Sequence, residues 1–146
     1  MNYQESLKFI EESHKFGIRL GLENSLKLLE LLGNPQEKLK IIHVAGTNGK
    51  GSVCSFISNA LQAQGYKVGL YTSPYLEKFT ERIRINGENI PEEDVARIVT
   101  LMREKIEQMV DEGFAYPTEF EIETAMAFYY YWEQGVDYVA LEVGLG

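Results

Sequence analysis

Residues 40–52 read KIIHVAGTNGKGS, a short apolar run followed at once by a glycine-rich loop. The run from Lys40 to Ala45 predicts a buried strand, and the apolar residues after Ser52 recur at helical spacing. Glycines let successive backbone N–H groups of such a loop point inward, and the N-terminus of the following helix adds partial positive charge. This order of strand, loop and helix predicts a phosphate-binding site for ATP.

The phosphate loop, Gly46–Ser52, supplies several kinds of ligand. Lys50 offers a mobile ammonium to the outer phosphates and is a predicted catalytic residue, while the Ser52 hydroxyl can meet phosphate or Mg²⁺. The motif is a variant, because Val44 and Gly51 stand where the standard pattern has glycine and Ser or Thr. A plain glycine turn is the alternative. The predicted ATP-binding residues are Gly46, Thr47, Asn48, Gly49, Lys50, Gly51 and Ser52.

The residues around the phosphate loop predict further strands. Apolar runs at Lys67–Tyr71 and Val136–Val143 are typical of buried strands, and their order with the loop and helices favours parallel pairing. Asn86-Gly87 separates two short runs and predicts a β-hairpin. His43 lies inside the first strand, so we expect a core histidine rather than a catalyst. The fold class is therefore α/β, a P-loop-containing domain with a mostly parallel sheet flanked by helices.

Helical spacing accounts for most of the remaining chain. The residues up to about Gly33 read as helical, and Pro91 opens a later helix at its first position. Thr118 and Glu121 match a capping box, from which a helix runs to about Gln134. The apolar stripe predicted after the phosphate loop consists of Val53, Phe56, Ile57, Ala60 and Leu61.

Two candidate ligands for Mg²⁺ follow predicted strands. Glu142 comes at the carboxyl end of the third parallel strand, and Ser73 follows the second. Ligands bind at the carboxyl edge of parallel α/β sheets, and Mg²⁺ prefers hard oxygen ligands. We therefore expect Ser73, Glu142 and Ser52 to hold the metal, with Glu142 in the Walker-B position as the second catalytic residue. From the residues alone, a solvated acid and a Ser-Pro turn are the alternatives.

Composition limits the protein class. The chain has 146 residues, 45% of them hydrophobic and 25% charged, which predicts one globular domain. Its net charge of −8 argues against nucleic-acid binding, because phosphate backbones need clustered Lys and Arg. No apolar run approaches the ~20 residues that span a bilayer, and the acidic N-terminus is unlike a signal peptide. With Cys54 expected as a buried or half-buried thiol in a reducing compartment, we predict a cytoplasmic protein without membrane partners.

Five segments together resemble the Mur ligase superfamily, and within it the folylpolyglutamate synthase and dihydrofolate synthase family. The resemblance covers nearly the whole chain and the combination is highly specific, whereas the phosphate loop alone indicates only the superfamily. Tyr75 departs from the pattern, because the family commonly has His there. The segments are LGLE at 20–23, VAGTNGKGS at 44–52, YTSP at 71–74, ERIRING at 81–87 and LEVGLG at 141–146.

The resemblance implies an ATP-dependent amide ligase. Such an enzyme activates the carboxylate of dihydropteroate, or of the glutamyl tail of a folate, as an acyl phosphate, which the amine of L-glutamate then attacks. It implies that residues 47–50 hold ATP and that Ser73 and Glu142 bind Mg²⁺. For Phe120, a core position is an equal alternative. The implied pterin-side residues are Gly17, Ile18, Arg19, Leu20, Phe120 and Glu121.

The resemblance also implies that the chain is part of a longer enzyme. We expect residues 1–146 to be the N-terminal portion of the ATP-binding domain, because family members are much longer and carry a further metal-binding His, a carbamylated Lys and a C-terminal glutamate-binding domain. The parent protein is expected to be a monomer, and the chain alone to be inactive. The alternatives are a peptidoglycan-type amide ligase with the same loop and a nucleotide-binding module without catalysis.

Overall fold

The computed structural model describes residues 1–13, 22–44, 50–72 and 77–142, with the backbone only for residues 50–52. The 3₁₀ turns Pro35–Lys38 and Phe79–Arg82 accompany the regular elements. In the described ranges the helices are α1 Tyr3–Glu12, α2 Glu23–Leu31, α3 Lys50–Ala63, α4 Glu92–Asp111 and α5 Glu119–Gln134. The strands of those ranges are β1 Ile41–His43, β2 Val68–Thr72, β3 Ile83–Ile85, β4 Glu88–Asn89 and β5 Tyr138–Glu142.

The chain divides into two compact units, each with its own packing. The helical unit comprises Met1–Glu37 and Glu92–Tyr130, and the sheet unit comprises Lys38–Pro91 and Tyr131–Gly146. None of the helices in the described ranges has both the length and the apolar character needed to cross a membrane.

The sheet unit contains a sheet with the strand order β1-β5-β2-β3-β4. Strand β5 lies between β1 and β2 and runs parallel to both, while β3 and β4 continue the sheet in antiparallel pairing. The prediction of a mostly parallel α/β sheet flanked by helices is confirmed. The expectation of a core position for His43 is wrong, because β1 lies at the end of this strand order and the His43 side chain is exposed.

The hairpin predicted at Asn86-Gly87 joins β3 to β4. Its two turn residues have positive φ angles, 49° at Asn86 and 84° at Gly87. Positive φ at both central residues is typical of two-residue hairpin turns, whose twist matches that of the flanking strands. The side chain of Asn86 also accepts a hydrogen bond from the backbone N–H of Val68 at 2.9 Å. The turn therefore anchors β2 as well as reversing the chain.

Helix α3 packs on β2 and β5 with a face that only partly overlaps the predicted apolar stripe, of which Ile57 and Leu61 are half-buried. Cys54 and Ser58 are buried, whereas Val53 and Phe56 are 46% and 74% exposed. The buried side therefore carries the small side chains of Cys54 and Ser58, while the more hydrophobic Val53 and Phe56 lie outside it. The expectation of a buried Cys54 thiol is confirmed.

The helical unit has its core along α4. Helices α1 and α2 both pack against this helix. Helix α4 begins one residue after Pro91, where the sequence predicts a helix start. Its buried apolar face recurs at helical spacing and consists of Val95, Ile98, Val99, Met102, Ile106 and Met109.

Candidate functional site

The carboxyl ends of the three parallel strands lie at one edge of the sheet, called here the carboxyl edge. His43 of β1 is level with Leu141 of β5, and Thr72 of β2 is level with Glu142. The backbone N–H of Val44 donates to the carbonyl of Leu141 at 3.0 Å, which extends the pairing of β1 by one residue. Glu142 thus ends the middle strand, with β1 on one side and β2 on the other.

Glu142 is half-buried at the end of β5 and has Thr72 as its neighbour in register. Ser73 is the next residue in the sequence after Thr72. The structure therefore bears out the predicted strand-end position of Glu142. Ser73 itself lies outside the described residues, and its position as a metal ligand stays a prediction.

The phosphate loop is described only in its last part. Lys50, Gly51 and Ser52 form the first turn of α3, so the predicted helix start is confirmed, and their side chains are not described. Gly46, Thr47, Asn48 and Gly49 lie outside the described residues. The loop follows β1, whose end is at the carboxyl edge, and precedes α3, whose N-terminus carries the partial positive charge that favours anions.

Arg82 is a nearly buried cation near the carboxyl edge that the sequence prediction missed. Its side chain is 8% exposed, and its Nε donates to the carbonyl of Thr72 at 3.3 Å. Its guanidinium also lies 5.7 Å from the ring centroid of Tyr71. These contacts tie the last two residues of β2 in place, directly before Ser73 in the sequence. The sequence indicated a hairpin in this segment and a resemblance to a family motif at 81–87, but neither assigned a role to Arg82.

The N-terminus of α5 carries the predicted capping box. The backbone N–H of Thr118 donates to Oε1 of Glu121 at 2.8 Å, and the N–H of Glu121 donates to Oγ1 of Thr118 at 3.2 Å. The other carboxylate oxygen, Oε2, accepts a hydrogen bond from the hydroxyl of Ser25 at 2.6 Å. Sequence reasoning missed Ser25, because it lies 96 positions from Glu121 and no local spacing connects them.

The side chain of Phe120, a predicted pterin-side residue, is half-exposed. It is 50% exposed, so the alternative of a core position is wrong. Leu22 and Leu26, one turn apart near the start of α2, are also exposed, at 68% and 55%. The other predicted pterin-side segment, residues 17–20, lies outside the described residues.

Lys27 holds α2 within the helical unit. Its ammonium lies 3.1 Å from a carboxylate oxygen of Glu112 and 3.5 Å from one of Glu30, and 5.3 Å from the ring centroid of Phe114. The hydrogen bond to Glu112 raises the pKa of Lys27, against the lowering effect of desolvation. Lys27 therefore stays charged at neutral pH and fixes the helix that presents Ser25.

Comparison with known proteins gives close relatives. No family model matches the chain. The dihydrofolate synthase/folylpolyglutamate synthase of Bacillus subtilis is 45% identical over 145 residues, which cover 99% of this chain and 34% of that protein. The structure of folylpolyglutamate synthase from Thermotoga maritima is 47% identical, with a TM-score of 0.89 over 99% of this chain and 33% of that one. An FPGS–AMPPCP–folate complex gives a TM-score of 0.90 at 40% identity, over 100% of this chain and 36% of that one.

The extent of these matches identifies which part of the relatives the chain resembles. The chain spans 34% of the length of the Bacillus subtilis relative. The matched segment is the N-terminal part of the related proteins. In sequence and in fold, this chain corresponds to the N-terminal part of the folylpolyglutamate synthase and dihydrofolate synthase family.

Proposed function

We propose that the chain is the ATP-binding part of a ligase that adds L-glutamate to a folate or dihydropteroate carboxylate. The observation that carries the proposal is the pairing of Thr72 with Glu142 at the carboxyl edge, close in sequence to Ser73. It is supported by the similarity to folate enzymes, one of which was solved with AMPPCP, an ATP analogue, and folate. Because the relatives are folate enzymes, a peptidoglycan-type ligase is the less favoured candidate.

The proposed ATP site is the phosphate loop. Its backbone N–H groups and the N-terminus of α3 bind phosphate oxygens, and Lys50 neutralises charge as the γ-phosphoryl group leaves. A substrate carboxylate oxygen attacks the γ-phosphorus, ADP departs, and an acyl phosphate results. The amine of L-glutamate then attacks the acyl carbon and releases phosphate. No protein nucleophile is required, since the chain positions the reactants and stabilises charge.

The proposed Mg²⁺ ligands are Ser73, Glu142 and Ser52. A carboxylate and hydroxyl groups fit this ion, which prefers hard oxygen ligands. Bound there, Mg²⁺ would neutralise charge on the ATP phosphates. The half-buried setting of Glu142 at the end of β5 supports the assignment, since the backbone on both sides of the strand fixes its position.

The proposed pterin side combines residues 17–20 with Phe120 and Glu121. The exposed ring of Phe120 is suited to stacking on a flat heterocycle, and Glu121 offers hydrogen-bond acceptors beside it. We expect the full-length protein to act on small molecules as a cytoplasmic monomer, without nucleic-acid or membrane partners.

For the chain alone we propose a second, narrower function, namely nucleotide binding without turnover. The chain spans 34% of the length of a related enzyme, and the glutamate-binding part is expected in the remainder. Amide formation from ATP, folate and glutamate by the 146-residue chain would contradict this proposal.

The substitution Lys50→Ala in the full-length protein tests the ligase assignment. We expect loss of ATP-dependent glutamate addition with an unchanged fold, because the proposed role of the ammonium is to neutralise phosphate charge during the reaction. Product formation from dihydropteroate or tetrahydrofolate, together with a melting curve, measures both. Lys8→Ala, at an exposed position on α1, is the matched control and should keep full activity. Normal turnover by Lys50→Ala would refute the assigned role.

The substitution Glu142→Gln tests the metal assignment separately. The amide keeps the size of the side chain and removes its charge, so we expect the Mg²⁺ concentration for half-maximal activity to rise by at least about tenfold. A magnesium titration of the ligation rate measures this, with Glu88→Gln at the exposed start of β4 as the control. An unchanged magnesium requirement would remove Glu142 from the ligand set.

A further inference from the structure

We propose that Ser25 is a positioning residue for the carboxylate of Glu121 and thereby sets affinity for the heterocyclic end of the substrate. The inference rests on the proposed function, because it gives Glu121 a ligand-binding role. It assigns to helix α2 a part in substrate recognition through the hydroxyl of one side chain. Ser25 itself need not touch the ligand.

The geometry of the Glu121 carboxylate carries the proposal. Oε1 accepts from the backbone of Thr118 at 2.8 Å, and Oε2 accepts from Ser25 at 2.6 Å. A hydroxyl-to-carboxylate distance of about 2.5–2.7 Å is typical of a charge-assisted hydrogen bond, which is about twice as strong as a neutral one. Two donors from separate parts of the chain therefore fix both oxygens.

The capping box alone would hold only one end of the carboxylate. With Thr118 as the sole donor, the terminal torsion of Glu121 would be free, since torsions of this kind are broad. Ser25 removes that freedom by holding Oε2 from α2. The position of α2 is itself secured by the contacts of Lys27 with Glu112 and Phe114.

A carboxylate held in this way has a defined recognition capacity. Each of its oxygens accepts one of the described hydrogen bonds, and a carboxylate offers about four acceptor sites. The remaining lone pairs lie in one fixed plane and can accept from two parallel N–H groups, as on the amino-pyrimidine edge of a pterin. Phe120, adjacent in sequence and half-exposed, provides an apolar surface for the same ring. Ser25 thus pre-organises an acceptor pair, which reduces the ordering cost of binding.

The test uses steady-state kinetics of the full-length protein with the substitution Ser25→Ala. We expect the KM for dihydropteroate or tetrahydrofolate to rise about tenfold, because binding must then order a carboxylate that Ser25 no longer holds; tenfold corresponds to about 1.4 kcal/mol. The KM values for ATP and glutamate and the value of kcat should stay within about twofold. If Ser25 had a merely structural role, the substitution would change the three KM values and kcat together, or it would change none of them.

A matched pair of variants isolates the hydroxyl. Ser25→Thr and Ser25→Val have the same shape, so only the threonine variant should restore the KM for the pterin substrate, even if the alanine variant folds poorly. Ser6→Ala controls for the loss of a helical hydroxyl, because Ser6 donates to the carbonyl of Asn2 at 2.8 Å within α1. It should leave all KM values unchanged.

A double-mutant cycle tests whether Ser25 acts through Glu121. In a Glu121→Gln background, Ser25→Ala should cause no further rise in the KM for the pterin substrate. Additive effects, or an unchanged KM for Ser25→Ala alone, would overturn the inference while leaving the proposed function intact. If the wild-type protein forms no amide product from either folate substrate, the proposed function fails, and the inference fails with it.

Discussion

Gly69 in β2 carries a hydrogen atom where every other residue type carries a Cβ, and the packing around this strand depends on that difference. A Cβ at this position would lie 2.6 and 2.7 Å from two ring carbons of Tyr131, which is fully buried near the end of α5. The ring of Tyr131 is rigid and tightly packed, so it cannot make room for the added Cβ by rotating a flexible end of the side chain. Glycine is therefore required for the close approach of the aromatic ring to the strand.

The substitution Gly69→Ala should destabilise the protein by about 1–3 kcal/mol, the usual cost of overpacking. Urea unfolding measures the change in the free energy of unfolding. In a Tyr131→Leu background the same substitution should become neutral or stabilising, because the ring has gone and alanine restricts the unfolded chain more than glycine does. Equal destabilisation in both backgrounds would show that the ring is not the cause.

At the scale of the element, the β3–β4 hairpin depends on Asn86 in two ways. Asn86 adopts a positive φ of 49°, and its side chain accepts from the backbone of Val68 at 2.9 Å. Glycine at this position would tolerate the positive φ but would lack the side-chain acceptor. Aspartate would keep the acceptor. Alanine would lack the acceptor and would also disfavour the positive φ.

We therefore expect Asn86→Ala to lower the free energy of unfolding by about 1–3 kcal/mol, from the cost of the left-handed backbone plus the lost hydrogen bond. Asn86→Gly should lie between this variant and the wild type, and Asn86→Asp should be closest to the wild type. Thermal and urea unfolding provide the ranking. If glycine and alanine prove equally destabilising, the backbone conformation contributes nothing.

At the same scale, helix α3 shows that the spacing of apolar residues in a sequence can predict a helix without predicting which of its faces is buried. The sequence pattern correctly predicts a helix, because its apolar residues recur at helical spacing. The pattern favours the most hydrophobic side, yet Cys54 and Ser58 are buried and Phe56 is 74% exposed. Which face packs depends on the space beside the sheet, a tertiary property that a local window does not contain.

Across the whole molecule, local signals predict elements well and long-range contacts poorly. The β-hairpin follows from the adjacent pair Asn86-Gly87, the α5 capping box follows from two residues three positions apart, and both are confirmed. The strand order is a different kind of information, since nothing in β5 itself indicates that it lies between β1 and β2. The hydrogen bond of Ser25 to Glu121 was equally out of reach, because the two residues lie 96 positions apart in the sequence. The phosphate loop and Ser73 stay predictions from sequence and resemblance.

The central position of β5 has a consequence for the synthesis of the protein. β1 and β2 do not pair with each other, so the parallel part of the sheet must wait for the strand that separates them. Seventy residues separate the end of β2 at Thr72 from the end of β5 at Glu142. At about 5–20 residues per second, a ribosome needs roughly 4–14 s to make them. Among the described strands, only the antiparallel pairs β2–β3 and β3–β4 can form during that interval, so the nascent chain gains the frame of its proposed catalytic edge last.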